Sequence, residues 1–122
     1  MKAASSKRRP DQVGEIIRQV VAEALIREVR DPRINMVTIT RIEVSPDLSH
    51  ARLFVTIHGE GEERTLALEG LKRASGFLRS RVAKALSTRI TPELTFMPDL
   101  GAEHAARIEH ILGALKRGEE AP

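Results

Sequence analysis

Between residues 11 and 29 the apolar positions fall at Val13, Ile16, Ile17, Val20, Val21, Ala24 and Leu25, with polar residues filling the gaps. Spacings of three and four bury one face of a helix, so this stretch predicts an amphipathic helix. Asp11 is placed to cap it. Asp31-Pro32 is placed to end it, because the residue before a proline is pushed out of the α region. The pattern then changes to runs rich in β-branched residues, MVTITRIEV over Met36–Val44 and a second alternating run over Ala51–His58. These predict two strands of an antiparallel hairpin joined through SPDLS and closed off by Gly59 and Gly61. Helical spacing returns at 63–74, with Leu68 and Leu71 inward, and again from Gly76 to Leu86, with Leu78, Val82 and Leu86 inward. Pro92 breaks the chain before a short third strand, Leu94–Met97, which Pro98 ends. A last helix over about 102–116 gathers Ile108, Ile111, Leu112 and Leu115 on one stripe.

The order is therefore α-β-β-α-kink-α-β-α. It predicts an α+β domain of two layers, in which helices cover one face of a three-stranded sheet. The third strand joins the sheet through a helical crossover, so the sheet is expected to be mixed. A chain of 122 residues has room for one core of ordinary size. The expected division is a flexible basic N-terminal arm at 1–9, one domain at 10–116 and a short polar tail at 117–122.

Composition removes several classes of function. There is no cysteine, hence no disulfide, thiol nucleophile or thiolate metal site. No apolar run is long enough to span a bilayer, and MKAASSKRRP lacks the apolar region of a signal peptide, so a cytoplasmic protein with no membrane role is expected. His50, His58, His104 and His110 never take the i, i+4 spacing that lets one helix face chelate a metal. No phosphate-binding glycine loop occurs, and no serine sits in a nucleophile elbow. The reading is a protein that is not an enzyme and needs no cofactor. Phe54, Phe77 and Phe96 are the only aromatic residues, too few to build a sheet surface that stacks bases.

The net charge of +3 is less informative than its distribution. Lys7, Arg8 and Arg9 crowd the N-terminus. Lys72, Arg73, Arg79, Arg81, Lys84 and Arg89 fall between 71 and 90 without an acid among them, just after Glu60, Glu62, Glu63 and Glu69. Segregation of this kind is an electrostatic footprint for nucleic acid, although solvated helix faces also carry such runs. Inside this block lies Ala74-Ser75-Gly76. Gly costs about 1 kcal/mol relative to Ala in a helix interior, and Ser adds to it, so the pair predicts a bend. A bend would expose N–H groups at the start of a second helix and let a sugar-phosphate backbone approach the bare Gly76. The alternative is a bend that only wraps the helix around the core. KH domains place a GXXG loop between two helices for the same purpose. The RNA-binding candidates are thus Lys7, Arg8, Arg9, Lys72, Arg73, Ala74, Ser75, Gly76, Arg79, Arg81, Lys84 and Arg89.

The segments RDPRI (Arg30–Ile34), VTITRIEVSPDLSHARLFV (Val37–Val55), LKRASGFLRSRVAKAL (Leu71–Leu86) and LTFMPD (Leu94–Asp99) resemble the characteristic segments of the bacterial ribosome-binding factor A family, in the same order. The resemblance runs from about Arg9 to Leu115. It implies a single type II KH-like domain in which an Ala-x-Gly kink, here Ala74-Ser75-Gly76, replaces the GXXG loop. It implies a non-enzymatic assembly factor, a monomer, that binds the free small (30S) ribosomal subunit. There it would assist late maturation and processing of 16S rRNA, above all in the cold, and a ribosome-associated GTPase acting in trans would aid its release. Its short acidic tail differs from the longer basic tails of some relatives. The competing reading from the residues alone is a general single-stranded nucleic-acid-binding protein of KH-like form, with a small regulatory interaction protein third.

Overall fold

The computed structural model describes residues 9–29, 31, 32, 34, 37–87 and 89–118. Its elements run α1 (Pro10–Arg27), β1 (Val37–Val44), β2 (His50–Ile57), α2 (Glu62–Leu86), β3 (Glu93–Pro98) and α3 (Leu100–Lys116). The sheet order is β1-β2-β3, with β1 antiparallel and β3 parallel to β2. This is the mixed three-stranded α+β arrangement expected of a type II KH-like chain. The parallel pair follows from α2, which carries the chain back across the sheet before β3 begins.

α1 starts one residue earlier than the apolar pattern implies. Pro10 takes the first helical position, where its missing N–H costs nothing, and the Gln12 side chain accepts a hydrogen bond from the Arg9 N–H at 3.1 Å. Asp11 therefore lies inside the first turn and is not the cap. The helix stops at Arg27, before the predicted Asp31-Pro32 boundary. Val13, Ile17, Val21 and Ala24 point into the core, where they meet Ala51, Leu53, Val55 and Ile57 of β2 and Leu71, Leu78, Val82 and Leu86 of α2. Every second residue of β2 is buried, so one face of the sheet carries the core while Arg52, Phe54 and Thr56 turn away.

β1 has a bulge. Its pairing register slips between Ile39 and Arg41, so Val37 and Ile39 face the core before the slip and Ile42 and Val44 face it after. The carbonyls disturbed there are satisfied by Arg18, whose guanidinium donates to Ile39 O at 3.2 Å and Thr40 O at 3.1 Å. At the hairpin, Leu48 takes a positive φ of 63°. The Asp47 carboxylate ties the turn together by accepting from the hydroxyls of Ser45 and Ser49, each at 2.7 Å, and from Ser49 N–H at 3.1 Å. Those donors, the Ser49 hydroxyl foremost, hold its pKa down at about 2.

α3 departs from expectation. Its stripe of Ile108, Leu112 and Leu115 is exposed by 42%, 57% and 57%, and Ala114 is the buried residue of the helix. Polar contacts attach α3 to the rest of the domain. Asp99 caps it by accepting from Ala102 N–H at 3.1 Å, and also receives the Thr40 hydroxyl at 2.6 Å. Glu103 accepts Ile57 N–H at 3.2 Å and Arg64 at 2.8 Å. The Thr40 hydroxyl, then the Ala102 amide and the Arg41 charge, lower the Asp99 pKa.

Candidate nucleic-acid interface

α2 is one unbroken helix of 25 residues, so the predicted second helix starting at Gly76 does not form as a separate element. Packing explains the difference. Ala67, Leu71, Leu78, Val82 and Leu86 stay on a single buried face through the Ser-Gly pair, and their burial outweighs a local propensity penalty of about 1 kcal/mol. Inside a helix each N–H is taken up by the carbonyl four residues back, so Gly76 presents no cluster of free amide donors. Ser75 does add a local perturbation: its hydroxyl donates back to Lys72 O at 2.8 Å, a contact that tends to bend helices. Ala74 packs partly buried against the core.

The distinctive property of Gly76 is steric. Gly76 is exposed, and a Cβ built there would meet nothing within 4 Å. No described residue of this chain needs the glycine, which leaves the helix backbone bare toward solvent. Lys72 lies one turn before it on the same face, with Ser80 and then Ala83 and Lys84 following at helical spacing. A groove of about 410 Å³ runs along this face, lined by Gly76, Arg79, Ser80, Ala83, Arg89 and Thr91. Its floor is small residues and its rim is cationic.

The basic candidates separate by what they touch. Lys72, Lys84 and Arg89 are exposed and make no ion pair with another described residue. Arg73 lies 3.9 Å from Glu69 on the same helix, an exposed pair that costs little to break. Arg79 is committed to the fold: it donates to Pro92 O at 3.1 Å and Thr91 O at 2.8 Å, and so fixes the far wall of the groove. Arg81 reaches across to Glu28 at 2.5 Å, ties α2 to the end of α1 and lies over the half-exposed Phe77 ring at 4.9 Å. Arg9 sits at the start of α1, away from the groove lining. Lys7 and Arg8 lie outside the described residues. The sequence reading missed Ser80, Ala83 and Thr91. Gly76, Ser80 and Ala83 recur at i, i+4 and i+7, a small-residue stripe that could have flagged the groove floor.

The open face of the sheet is a weaker candidate for nucleic acid. Arg41 pairs with Glu43 and lies 3.6 Å from Asp99, and Arg52 pairs with Glu43 at 3.2 Å, so its cations are neutralised locally. Phe54 is covered by the Arg41 guanidinium at 3.8 Å and is not free to stack a base. Among the described residues no group of three or more His, Asp or Glu side chains is arranged to hold a metal.

The fold and this face together define a small two-layer α+β domain that presents a basic, side-chain-poor helix to its surroundings. The sequence profile of the family described as Ribosome-binding factor A matches residues 9–112. The ribosome-binding factor A of Halothermothrix orenii is 38% identical over 114 residues, covering 93% of each chain. A solution structure of a Thermotoga maritima protein described as a ribosome-binding factor A superposes with a TM-score of 0.64 at 34% identity, over 72% of this chain and 84% of that one. The Thermus thermophilus ribosome-binding factor A, a homology model fitted into a cryo-EM map of its complex with the 30S subunit, superposes with a TM-score of 0.56 at 29% identity, over 67% and 86%. The chain belongs to the ribosome-binding factor A family.

Proposed function

We propose that this protein is a non-enzymatic assembly factor that binds the free small ribosomal subunit through 16S rRNA and assists late maturation of that RNA, with its greatest importance in the cold. The observation that carries the reading is the bare groove along α2 at Gly76, with Arg79 and Arg89 in its lining and Lys72 and Lys84 exposed nearby on the same helix. A phosphate backbone can lie close against a helix that has no side chain in the way, while flanking cations neutralise it. Membership of the family and the 30S complex of the Thermus relative support the same partner. Lys72, Arg73, Gly76, Lys84 and Arg89 contact RNA directly. Ala74 and Ser75 shape the helix beneath them, and Arg79 and Arg81 hold the surface in place. The basic arm with Lys7, Arg8 and Arg9 adds electrostatic attraction to the domain at 10–116. The protein works as a cytoplasmic monomer without cofactor, and a ribosome-associated GTPase in trans promotes its release.

Sedimentation of cell extract tests this. The protein should travel with free small subunits and not with full ribosomes. Migration with bulk RNA of every size would instead favour a general single-stranded nucleic-acid-binding protein.

A further inference from the structure

Phe77 stands apart from the other aromatic residues. Phe96 is buried in the core, and Phe54 is half-buried with the Arg41 guanidinium 3.8 Å from its ring centroid. Phe77 is 41% exposed and lies outside the core cluster, so the core does not depend on an aromatic ring there. Arg81, one turn further along α2, holds its guanidinium 4.9 Å from the ring centroid and is itself anchored to Glu28 at 2.5 Å. One face of the ring is thus backed by a fixed cation, and the exposed part is what that cation leaves open. Successive helix residues are turned by about 100°, so Phe77 lies about 100° around α2 from Gly76. Arg73 and Lys84 fall in the sector between them, both exposed. At a side-chain radius of about 5 Å the arc from Gly76 to Phe77 is roughly 9 Å, on the scale of one nucleotide.

We propose that Phe77 stacks an unpaired base of the RNA whose backbone lies along the Gly76 groove. This rests on the function proposed above and names the form of RNA that α2 takes. The charges around the ring favour a nucleotide over an apolar side chain of a protein. Phosphates on either side of the base reach Arg73 and Lys84, while the carboxylates of Glu69 and Glu28 are paired with Arg73 and Arg81. A base of any identity has a flat π face that can lie on a phenyl ring, so the contact adds affinity without a sequence code. Bases inside an A-form helix are stacked on one another and cannot reach the ring. α2 therefore takes a segment that is single-stranded at this point, with the backbone on the bare side and the base turned over the flank.

The test uses the full-length protein and purified small subunits, with quantitative co-sedimentation over a range of salt. Phe77→Leu keeps an apolar, helix-forming side chain and removes the ring, whereas Phe77→Trp enlarges the ring. Phe77→Leu should melt within a few degrees of the wild type, yet bind about tenfold more weakly at every salt concentration. Its line of log K against log[salt] should run parallel to that of the wild type, because no phosphate contact is lost. Phe77→Trp should bind as tightly as the wild type or more so. If Phe77→Leu melts low, Phe77→Met takes its place in the comparison. A pocket for an apolar side chain on a protein would reverse the order, accepting the leucine and excluding the larger indole, and that order would overturn the inference. Equal binding by all three proteins would overturn it too, while leaving the proposed function intact. If the wild type itself fails to sediment with small subunits, the proposed function fails and the inference falls with it.

Discussion

Replacing Ser75 and Gly76 together with alanine separates the two roles α2 can play. In an unbroken helix Gly→Ala is worth about 1 kcal/mol, partly through the unfolded chain, and Ser→Ala adds a few tenths more. No steric cost offsets this, since a Cβ at Gly76 meets nothing within 4 Å, and the Ser75 hydroxyl bonds only back to Lys72 O. For a chain of 122 residues the unfolding entropy is about 0.26 kcal/mol per degree, so the gain corresponds to a rise in Tm of about 4–6 °C. Binding should move the other way. The methyl group added at Gly76, on the bare face, holds a phosphate backbone off the helix, and loss of close contact should weaken subunit affinity about tenfold, or about 1.4 kcal/mol. The assay is thermal melting and quantitative co-sedimentation with small subunits on the same preparation. A variant that is stabilised and still binds like the wild type would refute the assignment of Gly76 to the interface.

Other outcomes follow from the same geometry. If Lys72, Arg73, Lys84 and Arg89 each neutralise a phosphate, log K should fall against log[salt] with a slope of about −3 to −4. Lys84→Ala should flatten it by about one contact without changing the melt. Arg81→Ala should instead lower Tm slightly, by well under 1 kcal/mol of lost pairing with half-exposed Glu28, and leave the salt slope unchanged. Asp47 and Asp99 both titrate below the ordinary carboxylate range, so the stability each contributes is fully present above about pH 4. Asp47's share is lost as pH falls toward about 2, where its folded-state pKa lies. Melts from pH 6 to pH 2 should therefore decline steeply at the acid end, and Asp47→Asn should shallow that decline. Gly70 is the counterexample to Gly76: a Cβ there lies 3.2 Å from an Asp31 oxygen and 3.3 Å from Ile34, so Gly70→Val should destabilise by about 1–3 kcal/mol. A melt equal to the wild type would contradict the packing described for α2.

The element order and the mixed sheet were legible because apolar spacing switches cleanly between helical and alternating periods. The bulge was legible too, and was missed: Val37 and Ile39 alternate, then Ile42 and Val44 alternate one residue out of phase. A Ser-Gly pair was read as a break because local propensity was weighed without the phase of Leu71, Leu78 and Val82 on either side of it. α3 could not be read correctly from its stripe. Periodicity says which residues share a face and not which way the face points. That direction is set by Asp99, Glu103, Thr40 and Arg64, polar partners distant in sequence. In the same way, spacing grouped Arg79 and Arg81 with Lys72 and Lys84, although only the structure shows the arginines spent on main-chain carbonyls and Glu28.

The most direct test of the RNA-facing role of α2 is ultraviolet cross-linking of the protein on purified small subunits, followed by mass spectrometry of the peptides that carry nucleotides. The account predicts adducts concentrated within residues 72–89, at Lys72, Gly76, Lys84 or Arg89, with linked nucleotides from 16S rRNA. Adducts confined to the open face of the sheet, around Arg41, Arg52 and Phe54, would contradict it.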